Sequence, residues 1–485
     1  MMLMITRLFG TDGMRGEAGR FPVDAETMRL TGHSLAHRLS EQIGRAPRIV
    51  LGRDTRQSGG WIEHELIKGA REAGATCDSA GVITTPGVAF LARTLPADAG
   101  VVISASHNPY QDNGVKIFAS TGRKLDDTTE RLIEADIHAA RGTDRSTPGS
   151  LLRESVAPEV FDEQRASRTV GSTEAEDVAS SEASGAELRA RYLDYLATEV
   201  AAGLRLDGLP IVVDCANGAA SELGPALLAR LGARVQAINN TPDGRNINRE
   251  CGSLHIEQLC RTVVTEGAAF GVAYDGDADR ALFVDAAGRL VDGDATLWVM
   301  AGYMAERGRL AGDCVVATVM TNLGLELALR ARGIKLLRTN VGDKYVLEEL
   351  LRTGASVGGE QSGHVIFPHI SLAGDGLITT IKMLRAVNES GRTLQDLTDG
   401  FVRYPQVLLN VRVREKRPFT EVPEIMEGVL KTEQVLGENG RLLLRYSGTE
   451  SLARVMIEGQ RQDEIDRLGT SLAETIKHAL GTHEG

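Results

Sequence analysis

Three aspartates at alternate positions, Asp275, Asp277 and Asp279 in YDGDADR, are the densest concentration of chemistry in the chain. Alternate side chains of an extended segment project to one side, so the spacing predicts three carboxylates on one face. Each like-charged pair a few ångströms apart repels by about 1–4 kcal/mol at high effective dielectric. A divalent cation removes that conflict, and an all-oxygen ligand set favours Mg²⁺ or Ca²⁺ over zinc. Gly276 and Ala278 keep the intervening positions small, and three protein carboxylates leave room for water or a phosphate oxygen. An EF-hand does not fit, because its twelfth loop position is Ala286 rather than glutamate. On spacing alone, a solvated acidic turn is the other reading.

A second segment, VVISASHNPYQDNGVK, carries an apolar run into Ser106, His107, Asn108 and Pro109. A strand ending there delivers its last residues to a sheet edge, where α/β proteins place ligands, and Pro109 fixes the turn. Ser106 is a hydroxyl nucleophile, and His107 and Lys116 are candidate proton carriers. Ser-His-Asn is also ordinary turn chemistry, with Ser106 merely capping.

Two further loops read as ligand-binding. In LRYSGTESLAR, Ser447, Gly448 and Thr449 lie between Arg445 and Arg454, and hydroxyls, freed backbone N–H groups and guanidiniums together make a phosphate cradle. In GGEQSGH, Glu360, Ser362 and His364 alternate along an extended piece and offer an acceptor, a hydroxyl and an imidazole in a row, which suits reading sugar hydroxyls. Both strings occur in plain turns as well. Arg15 in FGTDGMRG, and Arg53 with Arg56 in GRDTRQSG, sit beside glycines that let backbone approach an anion. They read as basic anchors or as surface turns.

Positioning these loops calls for many short strands and helices. Apolar runs at 49–52, 101–104, 210–214, 270–274 and 314–319 read as buried strands, and helical periodicity marks 61–72, 221–231 and 323–332. Such alternation predicts an α/β protein of βαβ units with mixed or parallel sheets. Residues 1–9 read as a first strand rather than a signal peptide. Residues 153–187 are rich in Ser, Ala, Thr and Glu without hydrophobic periodicity, and read as a mobile insertion or linker. A last segment has strands at 407–413, 441–446 and 454–458 and helices at 421–430 and 462–480, enough for a small α+β domain.

The division expected is an α/β domain over 1–152, the polar linker over 153–187, α/β domains over 188–296 and 297–403, and a C-terminal α+β domain over 404–485. With 485 residues the chain is too long for one core. Its net charge of −12 argues against general binding to nucleic acid or anionic membrane, so an anionic ligand needs locally gathered arginines. Five scattered cysteines without a C-x-x-C pair argue against a disulfide framework or zinc site and suit a reducing cytosol. No uncharged apolar run approaches the roughly 20 residues of a membrane span.

Taken in order, FGTDGMRG, GRDTRQSG, ISASHNPYQDNGVKIF, DGDADR, GGEQSGH and RYSGTE resemble the α-D-phosphohexomutase superfamily, most closely its bacterial phosphoglucosamine mutase branch. The resemblance spans nearly the whole chain. It implies three similar mixed-sheet α/β domains and a smaller α+β C-terminal domain. It also implies an isomerase that interconverts glucosamine 6-phosphate and glucosamine 1-phosphate.

By the same resemblance, Ser106 matches the phosphoserine, and Asp275, Asp277 and Asp279 match the Mg²⁺ ligands, with phospho-Ser106 as a further one. Arg15, His107, Lys116 and Arg280 match catalytic-centre basic residues, with Lys116 preferred over His107 as proton carrier. Glu360 and Ser362 match the sugar-reading loop, and Arg445, Ser447, Gly448 and Thr449 the loop for the non-reacting phosphate, with His364 and Arg454 kept as substrate-binding candidates from their place in the same segments. A glucose or glucosamine 1,6-bisphosphate activator or intermediate follows, as do a cytoplasmic location, a homodimer and supply of UDP-N-acetylglucosamine. The serine's first phosphate would come from a kinase, a bisphosphate or self-phosphorylation.

The segments DGRNINRECGS and VGDKYVL point to the phosphoglucosamine branch. Departures from the pattern are Ser451 where proline is usual, Lys344 for a common arginine, and the 153–187 insertion. The competing readings are a broad-specificity phosphomannomutase/phosphoglucomutase, a Mg²⁺-dependent sugar phosphatase and a non-catalytic sugar-phosphate-binding regulator.

Overall fold

The computed structural model describes residues 7–10, 12–143, 172–447 and 450–481. The chain forms two compact units, Met1–Val319 with Leu337–Thr398, and Met320–Leu336 with Asp399–Gly485.

The first unit holds three α/β sheets. The N-terminal sheet has six strands, in the order Phe9–Gly10, Gly13–Glu17, Asp112–Ala119, Ala99–Ile103, Arg48–Arg53 and Thr76–Val82. Its last three run parallel, and Asp112–Ala119 returns antiparallel beside Ala99–Ile103. That return places Lys116 next to the strand that ends in the Ser106 loop. The β-branched and apolar run Ala99–Ile103 is buried at every position, as a strand covered on both faces must be. The second sheet has the order Leu290–Val291, Ala281–Asp285, Phe270–Tyr274, Pro210–Asp214, Arg234–Ile238. Its strands Phe270–Tyr274 and Ala281–Asp285 are antiparallel, and the turn joining them carries the three aspartates. The third sheet runs Lys335–Thr339, Cys314–Thr318, Gly358–Gly359, Val365–Ile366.

Of the expected 1–9 strand, only Phe9–Gly10 is a strand among the described residues, and residues 1–6 lie outside them. Of the expected linker, residues 153–171 lie outside the described residues, whereas Ser172–Tyr195 is one helix. That part is regular helix rather than the aperiodic segment its composition suggests. Ala, Glu and Arg are strong helix formers, and no proline interrupts them. The helix packs against Thr76–Val82, the edge strand of the first sheet, with Arg189 donating to the Ala80 carbonyl at 2.7 Å. Covering an edge removes a row of unpaired backbone groups from solvent. Farther along the helix, buried Tyr192 donates to Asp375 at 2.6 Å.

The second unit, taken by itself, is a three-stranded antiparallel sheet, Gln406–Arg412, Leu452–Glu458, Arg441–Tyr446, backed by helices Pro423–Leu436 and Gln462–Leu480. Ile425, Ile457, Ile465 and Leu472 sit in its core.

Helices Ala25–Ile43 and Gly59–Glu72 touch backbone to backbone. A Cβ at Gly69 would lie 1.8 Å from the Arg29 carbonyl oxygen, and one at Gly32 2.1 Å from that of Leu66. Gly69→Ala is predicted to destabilise this layer by about 1–3 kcal/mol. Denaturant unfolding followed by Trp61 fluorescence in a Trp298→Phe background should show an earlier midpoint. An unmoved midpoint would mean that the helices separate without cost.

Candidate active site

The Ser106 loop follows the strand Ala99–Ile103, and its backbone is unusual: Ser106 has φ +52°, a left-handed conformation that non-glycine residues adopt at a cost. Ser106 is buried, its N–H donates to Ser104 Oγ at 2.9 Å, and its own Oγ donates to Asp275 Oδ2 at 2.6 Å. His107 Nδ1 is 3.4 Å from the same hydroxyl.

Asp275, Asp277 and Asp279 converge, with ligand oxygens within 4.8 Å of one another. They do so on a turn rather than along an extended face, which corrects the expectation from spacing. The strand ends at Tyr274, and Ala278 takes φ +55°. At the bend the aspartate loop packs closely against the serine loop. A Cβ at Gly276 would lie 2.5 Å from the Ser106 carbonyl oxygen.

The electrostatics of the triad fit a hard divalent cation. Burial and the two neighbouring carboxylates push Asp275 well above the ordinary aspartate range. Burial works the same way on Asp279, but Lys116 and His364 outweigh it and hold that carboxyl well below its ordinary value. Asp277 Oδ1 and Asp279 Oδ1 are buried and accept no hydrogen bond. Among the described residues this is the one such cluster of three acidic, histidine or cysteine ligands.

Cations surround the triad. Lys116, 2% exposed, lies 3.0 Å from Asp277, 3.5 Å from Asp279 and 3.4 Å from Asp12. Burial opposes its charge, but these carboxylates raise its pKa above the ordinary lysine value. It is a buried cation held among carboxylates. Burial, then Arg280 and Arg15, lowers His107 to about 4. Arg15 pairs with Asp12, and Arg280 Nε lies 3.8 Å from Asp279 Oδ1; the Nε of each is buried without a hydrogen-bond partner.

Glu360, Ser362 and His364 do not form the expected extended row. Glu360 N–H donates to the His364 carbonyl and Gly363 takes φ +91°, so the segment is a tight turn between two short strands. Glu360 accepts from the Gly342 N–H at 3.1 Å, and Ser362 Oγ is 3.4 Å from Glu360. His364 turns instead toward Asp279, at 3.6 Å, and Asp279 and Asp343 lift it to about 9 against the effect of burial. In the second unit Arg445 and Arg454 stand opposite each other across two strands, and Arg454 Nη2 is 3.4 Å from Ser447 Oγ. Burial, then Arg454, lowers Arg445. Two facing guanidiniums form a pair that an anion would relieve. Gly448 and Thr449 lie outside the described residues.

Neither Arg53 nor Arg56 is a free anion anchor. Arg53 pairs with Glu63 at 3.1 Å. Arg56 is fully buried and spends all five N–H donors inside the protein. Nε donates to Asp54 at 2.9 Å, Nη1 to the Pro109 and Asp112 carbonyls, and Nη2 to those of Ser106 and Asn108. A charged residue in a Gly-rich turn carries no sign, in sequence, of whether it faces inward.

Sequence reasoning also missed Asp12, Lys124 and Asp343. Lys124 bridges Asp12 at 2.6 Å and Asp343 at 2.7 Å, and beside it Lys344 pairs with Asp127 at 2.7 Å. Lys124, Asp343, Lys344 and Asp127 wall a cavity of about 490 Å³ bordered also by Lys116, Asp279 and His364. Asp12 lies inside FGTDGMRG and was legible as a motif member; Lys124 carried no signal.

The comparisons agree with this geometry. Residues 6–143, 190–288 and 292–404 match phosphoglucomutase/phosphomannomutase alpha/beta/alpha domains I, II and III, and residues 408–475 match the C-terminal domain. The phosphoglucosamine mutase of Solibacter usitatus is 46% identical over 99% of this chain and 100% of its own length. The chain belongs to the phosphoglucosamine mutase branch of this family. The phosphoglucosamine mutase of Rhodococcus opacus is 44% identical over 97% of this chain and 99% of its own.

Solved structures share the fold. A phosphoglucomutase/phosphomannomutase family protein from Burkholderia thailandensis has a TM-score of 0.73 at 22% identity over 98% of each chain. The Aspergillus fumigatus N-acetylphosphoglucosamine mutase, in complex with GlcNAc-6P and magnesium, has 0.61 at 19% identity over 98% of this chain and 96% of its own. Among the described residues no helix is long and apolar enough to cross a membrane.

Because the triad's repulsion is relieved by a cation, saturating Mg²⁺ should raise the melting temperature of this phosphoglucosamine mutase family member. Asp275→Asn keeps the acceptor for Ser106 but removes one of three like charges. It is expected to melt no lower than the parent without Mg²⁺ and to lose the Mg²⁺-dependent rise. An undiminished rise in the variant would remove Asp275 from the cation site.

Proposed function

We propose that this chain interconverts glucosamine 6-phosphate and glucosamine 1-phosphate through phospho-Ser106 and a glucosamine 1,6-bisphosphate. The observation that carries the reading is Ser106 Oγ, held 2.6 Å from a buried carboxylate of a triad that Lys116 and Arg280 in turn face.

Phosphoryl transfer depends on positioning and charge neutralisation more than on covalent assistance. In the first half-cycle the phosphorus–Ser106 oxygen bond breaks as a bond forms to a sugar hydroxyl, whose proton passes to a nearby base. His107, 3.4 Å from Ser106 Oγ, and Lys116, set among the carboxylates, are the two candidates for that role. Lys116, Arg15 and Arg280 then stabilise the equatorial oxygens. In the second half-cycle the bisphosphate, turned over, returns its other phosphate to Ser106. Mg²⁺ held by Asp275, Asp277, Asp279 and the Ser106 phosphate would neutralise charge on the group being transferred.

Glu360, Ser362 and His364 read the sugar, and Arg445, Ser447, Gly448, Thr449 and Arg454 hold the phosphate that does not react. A four-domain division, a cytoplasmic location, a homodimer, a bisphosphate activator and an activating kinase belong to the same proposal. The full-length identity to phosphoglucosamine mutases supports the amino sugar.

The test is a steady-state comparison of glucosamine 6-phosphate, glucose 6-phosphate and mannose 6-phosphate with Mg²⁺ and a trace of glucose 1,6-bisphosphate. The kcat/KM for the amino sugar is expected to exceed both others at least tenfold. Equal or better turnover of the neutral sugars would assign the chain to broad-specificity mutases, and release of free phosphate without mutase product would make it a phosphatase.

A further inference from the structure

Asn248 belongs to the segment DGRNINRECGS, and the proposed cycle gives it no part. Its side chain is 9% exposed, and its backbone takes φ +57°, pinned by a bond from its N–H to the Ala216 carbonyl at 2.9 Å. From there its amide crosses from the second α/β sheet's loops to the serine loop of the first. Nδ2 donates to the Ser106 carbonyl at 2.9 Å and to the Asn108 carbonyl at 3.0 Å. Arg56 Nη2 donates to the same two carbonyls, at 2.8 and 2.9 Å, from within the first domain.

Two donors from different segments thus grip the same pair of oxygens. The metal loop closes over the grip, since a Cβ at Gly276 would meet both the Ser106 carbonyl oxygen, at 2.5 Å, and Asn248 Nδ2, at 2.9 Å. The consequence falls on Ser106. A left-handed non-glycine residue relaxes unless its surroundings over-determine it. Its N–H is taken by Ser104 Oγ and its carbonyl by Arg56 and Asn248, so its side chain is left pointing at Asp275.

We propose that Asn248 is a positioning residue: its amide locks Ser106 in the conformation that aims the phosphoryl carrier at the triad, and so favours transfer to sugar over loss to water. This rests on the mutase reading above. Arg56 shares the acceptors but is also the partner of buried Asp54. Its removal therefore threatens the fold, whereas Asn248 pairs with no charged group in the serine loop.

Asn248→Gly keeps the left-handed backbone and deletes the amide. Asn248→Asp keeps the shape but turns a donor into a carboxylate facing two carbonyl oxygens. Displacing a reacting group by about 1 Å costs on the order of a hundredfold in rate. Both variants are therefore expected to lower kcat for glucosamine 6-phosphate about tenfold to a hundredfold with KM within twofold, Asp more than Gly.

Intact-mass spectrometry of protein loaded with glucose 1,6-bisphosphate gives an independent readout. In both variants the phosphate on Ser106 should be lost to water several-fold faster than in the parent, with circular dichroism unchanged. Unchanged kcat and phosphoserine lifetime in Asn248→Gly would overturn the proposal, as would a rise in KM alone. If the parent turns over no hexose phosphate, the mutase reading fails, and the lifetime of the Ser106 phosphate still decides the role of Asn248. A parent that carries no phosphate on Ser106 overturns both.

Discussion

Three carboxylates buried within 4.8 Å of one another are the constraint around which the first unit is arranged. Like charges at that distance cost several kcal/mol in any environment drier than bulk water. The protein tolerates them by concentrating opposite charge: Lys116 lies among Asp12, Asp277 and Asp279, and His364 sits against Asp279. Asp277 Oδ1 and Asp279 Oδ1 still accept no hydrogen bond, which leaves ligand oxygens open to a divalent cation.

The charged groups of the site come from all three α/β sheets of this unit, so their ion pairs also fasten the sheets together. Lys116 and Lys124 belong to the N-terminal sheet's segment, Asp279 to the second, and Asp343 and His364 to the third. Lys124 spans Asp12 and Asp343, while Lys344 answers in the opposite direction to Asp127. The serine loop is fastened differently, as the Arg56 guanidinium and the Asn248 amide converge on its backbone carbonyls.

Much of this was legible in the sequence where the signal is local. Strands Pro210–Asp214, Phe270–Tyr274 and Arg441–Tyr446 and helix Gln462–Leu480 fall on the residues their patterns mark, because burial on a sheet or one helix face dictates residue type directly. The helix Ser172–Tyr195 was read as linker because a stretch of Ser, Ala and Glu shows no apolar stripe before its buried Tyr192. The aspartate triad was legible as chemistry but not as geometry. Alternation suggested a flat face, and only the close approach of Gly276 to Ser106 explains the turn. Arg56 was misread for a related reason, since a guanidinium satisfied by five backbone and side-chain acceptors looks, in sequence, like one awaiting a phosphate. Pairs such as Lys124 with Asp343 join residues far apart in the chain, and no local pattern encodes them.

The central claim is that Ser106 carries the phosphate between the two positions of the sugar. The most direct measurement is to incubate the protein with Mg²⁺ and ³²P-labelled glucose 1,6-bisphosphate, quench during turnover and map the label on proteolytic peptides. The account predicts label on the peptide containing Ser106 alone, chased off by unlabelled glucosamine 6-phosphate at a rate no slower than kcat. Label on another residue, or turnover without any protein-bound phosphate, would contradict it.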